Sequence, residues 1–168
     1  MNADIRAATR ADVPAILELV HQLAAFENLT HEVSATPELM EASLFPAQGK
    51  PAAECVLAFV ERLPVGYALV FPTFSTFLAK PGLYLEDLFV KPEFRRQGIG
   101  RALMLHVAGL AAKRGCGRLE WTVLDWNRQA IEFYSSFGAK TLPDWRICRL
   151  TGDALLQHSK GREDCKTL

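Results

Sequence analysis

The chain has 168 residues, 49% of them hydrophobic and 23% charged, and its 19 basic and 19 acidic side chains leave a formal net charge of zero. That length and composition suit one globular domain with a substantial core. Neutrality argues against broad electrostatic attraction to nucleic acid or to an anionic membrane, and no run is long and apolar enough to cross a bilayer.

The opening stretch, MNADIRAATRADVP, is charged and lacks the apolar core of a signal peptide, so a cytoplasmic location is expected. Cys55, Cys116, Cys148 and Cys165 show no CxxC pairing, and His21, His31, His106 and His158 show no ligand spacing. No metal site is therefore expected.

Residues 5–8 read as a first strand. Asp12 stands where a cap belongs for a helix from Val13 to about Phe26, with Pro14 in its first turn and Ile16, Leu19, Val20 and Leu23 as its apolar stripe. Residues 28–34 are polar and loop-like. Thr36-Pro37 starts a second helix running to about Leu44, and the Pro46, Gly49 and Pro51 region reads as loop. Residues 55–61 and 65–71 are strands joined by a short hairpin turn, and 72–82 is a Thr/Ser/Phe-rich connection.

Residues 83–90, LYLEDLFV, form the next strand, which must end before Pro92 because proline has no N–H for a ladder. The turn KPEFRRQ leads into Gly98-Ile99-Gly100 and a helix to Arg114, whose Ile99, Leu103, Val107, Leu110 and Ala111 recur at helical spacing. Gly115 and Gly117 close that helix. Residues 118–124 are a strand, 127–137 a helix stopped by Gly138, and 139–150 two more short strands broken at Pro143-Asp144. Residues 154–157 suit a turn of helix, and the polar tail over 160–168 is expected to be solvated and flexible. The pattern is an α/β (α+β) fold around a mixed sheet, with parallel pairing for the strands that flank the helix after the glycine turn.

That turn has the makings of an anion site. Amides at a helix start lack internal acceptors, the helix dipole adds partial positive charge, and Gly98 and Gly100 let an anion approach the backbone. Arg95, Arg96 and Arg101 add full charge nearby, and a pyrophosphate is the expected ligand.

Arg95-Arg96-Gln97-Gly98-Ile99-Gly100 resembles the R/Q-x-x-G-x-G/A signature of the GCN5-related N-acetyltransferases (GNAT). The run from Asn127 through Ala130, Ile131, Phe133 and Tyr134 to Gly138-Ala139 resembles their N-x-x-A-I-x-F-Y segment. Tyr84–Val90, Leu124–Asn127 and Ala24–Glu27 look like the diamine (spermidine/spermine) and thialysine branch. The likeness spans residues 4–150. Gln97, at a position small in some members, and the short region near Pro143-Asp144 depart from it.

The resemblance implies a mostly antiparallel sheet splayed at the cofactor site, helices on both faces, and acetyl-CoA as co-substrate without a metal. The amides of Arg95, Arg96, Gln97, Gly98, Ile99, Gly100 and Arg101 would bind its pyrophosphate. The backbone of Leu88, Phe89 and Val90 would pair with the pantetheine arm, and Asn127 and Ala130 would meet the cofactor. Tyr134 would be the general acid for the departing thiolate; otherwise it is a core tyrosine. Glu86 would contact the amine and relay its proton, because a Lys-like amine titrates near ~10.4 and only the free base attacks. Phe26, Glu27, Asp87, Glu120 and Trp121 would line the substrate pocket. For Asp87 and Glu27 a salt bridge and a solvated helix end stand as even alternatives.

The reaction implied is transfer of an acetyl group to a primary amine of a diamine, polyamine or lysine-like substrate in a ternary complex, by a homodimer. A peptide acetyltransferase and a non-catalytic acyl-CoA sensor are the alternatives.

Overall fold

Apolar-rich runs over 54–90 build an antiparallel meander, and the computed structural model describes it within residues 3–160, with side chains for 3–157. The strands are β1 (Asp4–Ala7), β2 (Glu54–Val60), β3 (Leu63–Ser75), β4 (Lys80–Val90) and β5 (Leu119–Glu120). They lie in the order β1-β2-β3-β4-β5, antiparallel except for the parallel β4–β5 pair. The parallel pair is the one the sequence predicts, since a helical crossover joins its strands.

The helices α1 (Val13–Phe26) and α2 (Pro37–Leu44) cover one face. Ile16 and Leu19 of α1 and Leu44 of α2 form a buried cluster with Cys55, Leu57, Tyr67 and Phe89 of the sheet. The helix α3 (Ile99–Lys113) packs against β2, β3 and β4 through buried Ile99, Leu103, Met104, Val107 and Ala111. Strand residues of the opposite parity, among them Val56, Ala68, Val70, Leu83 and Leu85, are buried as well. Helices on both faces explain why these strands read as nearly continuous apolar runs.

Asp12 occupies the position before α1, as expected, but its carboxylate does not cap that helix. It turns back to accept from the Thr9 amide at 2.7 Å and to pair with the Arg6 guanidinium at 2.8 and 2.9 Å. Those bonds hold the carboxyl well below its usual range and tie β1 to the start of α1. Thr36 does cap α2, accepting from the Leu39 amide at 3.3 Å.

Three stretches differ from expectation. The 72–82 connection is the outer half of a long hairpin: β3 continues to Ser75, β4 begins at Lys80, and Pro72 lies opposite Leu83. The β-formers Thr73 and Phe74 keep the chain extended there. Residues 121–124 do not continue β5, which holds only Leu119 and Glu120. Residues 139–150 form no strand; within the unit that holds them no described strand offers an edge to pair with.

The residues up to Thr122 form one compact unit and those from Val123 a second. The second contains α4 (Arg128–Ser135) and α5 (Gly152–Lys160). The expected turn of helix at 154–157 is thus part of a longer helix. Most of the tail expected to be flexible, residues 161–168, lies outside the described residues.

The β2–β3 hairpin closes at Glu61-Arg62, with Val60 opposite Leu63. Both turn residues have positive φ, 49° and 71°, the signs of a type I′ turn, in which side chains larger than Asn or Gly are strained. Replacing the pair by Asn-Gly (E61N/R62G) is expected to raise unfolding free energy by about 1 kcal/mol in urea titrations.

Candidate active site

Strand β4 loses one neighbour halfway along. Parallel pairing with β5 covers Leu83 and Tyr84, opposite Leu119 and Glu120, and no further residue. On the other side the pairing with β3 continues to Val90. The Lys91 amide donates to Val65 at 2.9 Å, so Lys91 and, by alternation, Phe89 and Asp87 turn their backbone groups toward β3. Leu88 and Val90 therefore turn theirs outward, along the edge that β5 has left. Gly66, opposite Val90, has no room for a Cβ, which would lie 2.7 Å from the Phe89 carbonyl oxygen. Its lack of a side chain lets β3 lie close against this part of β4.

The edge leads into the basic turn. A short 3₁₀ turn over Pro92–Phe94 follows β4, then Arg96 and Gly98 adopt positive φ (60° and 83°), and α3 begins at Ile99. The first helical bond runs from the Ala102 amide to Gly98. The amides of Ile99 and Gly100 have no acceptor within the helix. Open space surrounds the position a Gly98 Cβ would take, so glycine is required there by its φ. These features fit a pyrophosphate-binding bend with the helix dipole behind it.

Two cations anchor the bend. Lys91 is 7% exposed, and its ammonium lies 2.8 Å from Glu18 on α1. Arg95 does not point into solvent: its Nε donates to the Val90 carbonyl at 2.9 Å, and its guanidinium lies over the Phe26 ring at 4.6 Å and the Phe89 ring at 5.6 Å. Its side chain thus joins the end of α1 to the base of the turn, and its desolvation lowers the guanidinium's pKa.

A one-residue bulge then decides which acids meet. Leu69 pairs with Asp87 but Val70 with Leu85, leaving Glu86 as an extra residue. The slip turns Asp87 onto the face of α1, in line with Phe89, whereas Leu85 keeps to the face of α3. Asp87 accepts a 3.0 Å hydrogen bond from the Tyr67 hydroxyl. Burial pushes its carboxyl up to about 6, the Tyr67 bond opposes that, and the neighbouring Glu86 and Glu27 charges add to it. Burial also raises Glu27, at the end of α1. Glu86 itself is exposed.

The first unit therefore brings together Phe26, Glu27, Glu86, Asp87 and the turn. Glu120 is already paired, its carboxylate 2.7 Å from Arg118, and Trp121 follows the end of β5, half-buried. In the second unit Asn127 caps α4, accepting from the Ala130 amide at 3.2 Å. Tyr134 is half-buried on that helix, edge-on to Phe133 at 5.3 Å.

The family model described as Acetyltransferase (GNAT) family matches residues 19–139, which include the open edge, the bend and α4. The chain belongs to the GNAT family. A curated relative named L-ornithine N5-acetyltransferase from Arabidopsis thaliana is 38% identical, covering 92% of this chain and 87% of that protein. The thialysine N-epsilon-acetyltransferase of Bos taurus is 36% identical over 90% and 94% of the two chains. Among solved structures, a metagenomic aminoglycoside acetyltransferase superposes with a TM-score of 0.73 at 19% identity, covering 89% of this chain and 97% of that one, a likeness of fold.

This GNAT protein is an acyl-CoA-dependent N-acetyltransferase. Two features of its site escape motif reading. Tyr67 reads in sequence as one apolar strand residue among others. The bulge does leave a trace: Leu83 and Leu85 share one parity and Leu88 and Val90 the other, so the apolar alternation changes phase across Glu86-Asp87.

In the folded GNAT domain Asp87 titrates near 6, above its ordinary value of 3.8. Its ionisation therefore opposes folding fully above about pH 6, and the penalty fades as pH falls toward 4. Asp87→Asn is expected to add about 1–3 kcal/mol to unfolding free energy at pH 8, with the gain shrinking below pH 6 in urea melts.

Proposed function

We propose that this enzyme acetylates a primary amine of a small cationic substrate, a diamine, polyamine or lysine-like amino acid, by direct attack within a ternary complex with acetyl-CoA. The observation that carries the reading is the placing of Asp87, with the charges of Glu27 and Glu86 acting on it, on the strand whose open edge leads into the amide-lined bend. An ammonium group gains from such a cluster, and Phe26 beside it supplies an apolar wall. The relatives named for ornithine and thialysine support a substrate of this size and charge.

In this reading Leu88 and Val90 hold the pantetheine arm as an added strand, with the Val90 carbonyl already engaged by Arg95. The amides from Arg95 to Arg101 hold the pyrophosphate. Asn127 and Ala130 meet the cofactor from α4. Glu86, exposed at the bulge, takes the proton from the bound ammonium through water, and the free amine attacks the thioester carbonyl. A backbone amide near the bulge stabilises the oxyanion. The tetrahedral state then expels the CoA thiolate, which Tyr134 protonates, and the extra proton left on the amide nitrogen returns through water to the Tyr134 phenolate. No cysteine lies between Lys91 and Arg101 to carry an acyl group, which favours direct transfer. The resemblance to the diamine branch extends the proposal to a cytoplasmic homodimer.

The test is a panel of ornithine, lysine, thialysine, spermidine and a short basic peptide with acetyl-CoA, followed by free-thiol release. Turnover is expected with small amines and not with the peptide. Tyr134→Phe is expected to lower kcat by about 10–100-fold with the KM for acetyl-CoA within twofold, because a thiolate leaves readily and needs only modest acid assistance. Turnover of the peptide alone, or none with any amine, contradicts the proposal.

A further inference from the structure

We propose that Tyr67 is a positioning residue for amine recognition: its hydroxyl, fixed in the core of the sheet, holds Asp87 on the α1 face as an anion available to the substrate ammonium. This rests on the functional reading above, because it takes Asp87 as a group the amine meets.

The argument begins with the cost of placing a phenol there. Tyr67 is 0% exposed and belongs to the cluster of Ile16, Leu19, Leu44, Cys55, Leu57 and Phe89. Phenylalanine would fill the same space without a polar atom. A buried hydroxyl is unfavourable unless bonded, and among the described residues its acceptor is Asp87. The dependence is mutual. No cation pairs with Asp87 among the described residues, and Tyr67 is its side-chain donor there.

Every group facing Asp87 sets the same balance. From β2 comes the Cys55 thiol, which the Asp87 charge helps push up to about 12. From β4 comes Glu86 and from the end of α1 Glu27, both disfavouring the anion. Ile16, Leu19 and Leu44 add apolar surroundings on that face. Tyr67 is the group that favours ionisation, because its O–H donates to the carboxylate. The bulge at Glu86 makes the bond possible, for without it Asp87 would share the face of Leu85.

If Tyr67 acts this way, Tyr67→Phe leaves packing nearly intact but keeps Asp87 protonated to higher pH. The experiment uses the full chain with 13C-labelled aspartate carboxyls, the Asp87 signal being assigned by its loss in Asp87→Asn. Asp87 is expected to titrate near 6 in the wild type and about one pH unit higher in Tyr67→Phe. In parallel, the acid limb of amine kcat/KM moves upward by the same amount, and the KM for acetyl-CoA stays within twofold. In an Asp87→Asn background, adding Tyr67→Phe leaves the profile unmoved.

An unchanged Asp87 titration overturns the inference, as does a uniform loss of kcat/KM with no change of pH profile, the result of a purely structural tyrosine. Should Tyr67→Phe fail to fold, Tyr67→3-fluorotyrosine, a stronger donor of the same shape, must lower the Asp87 titration, or the inference fails. If no amine in the panel turns over, the functional reading falls with its amine site, whereas the carboxyl titration separately decides the hydrogen bond.

Discussion

A β-strand that loses its neighbour midway exposes backbone donors and acceptors that need other partners. That is the condition of β4 once β5 stops pairing after Tyr84. Outward amides and carbonyls at Leu88 and Val90 lie along a core strand, next to a helix start that has amides of its own to satisfy. Both sets of groups are suited to one extended ligand with an anionic end. The rest of the first unit holds this edge in place. Lys91–Glu18 joins the root of the bend to α1, Arg95 joins Val90 to Phe26, and the buried face of α3 fixes the helix that starts at the bend.

The bulge at Glu86 is the second device, acting on side chains where the open edge acts on backbone. One additional residue changes the face of everything after it. The outcome is a carboxylate on the α1 side, bonded to a buried tyrosine and lying in the fields of two more acids. Its ionisation works against folding at neutral pH, the kind of local cost that persists where a site needs charge.

Much of this was legible in residue order. The apolar stripes of α1 and α3 gave both helices nearly to the residue, because each stripe packs on a sheet face that is itself apolar. The parallel pairing of β4 and β5 followed from a helical crossover, and the bend followed from glycine and arginine spacing. Other parts depend on partners that local pattern does not name. Residues 121–124 carry strand-like side chains, yet a strand needs a paired edge, and among the described residues these four pair with no strand. Residues 72–75 read as part of a Thr/Ser/Phe-rich connection, yet cross-strand partners in β4 keep them extended. Asp12 looked like a cap, but a guanidinium on β1 binds it more strongly than a helix amide would. For the site, the motifs indicated the bend, Asn127 and Tyr134 by resemblance, whereas the Tyr67–Asp87 bond came only from tertiary geometry.

Residue-resolved amide hydrogen exchange with and without coenzyme A tests the central claim most directly. In the free protein the outward Leu88 and Val90 amides should exchange quickly and the inward Phe89 and Lys91 amides slowly. Saturating coenzyme A should slow exchange at Leu88, Val90 and the Gly98–Gly100 amides. Bound coenzyme A that leaves all of these as fast as before would contradict the account.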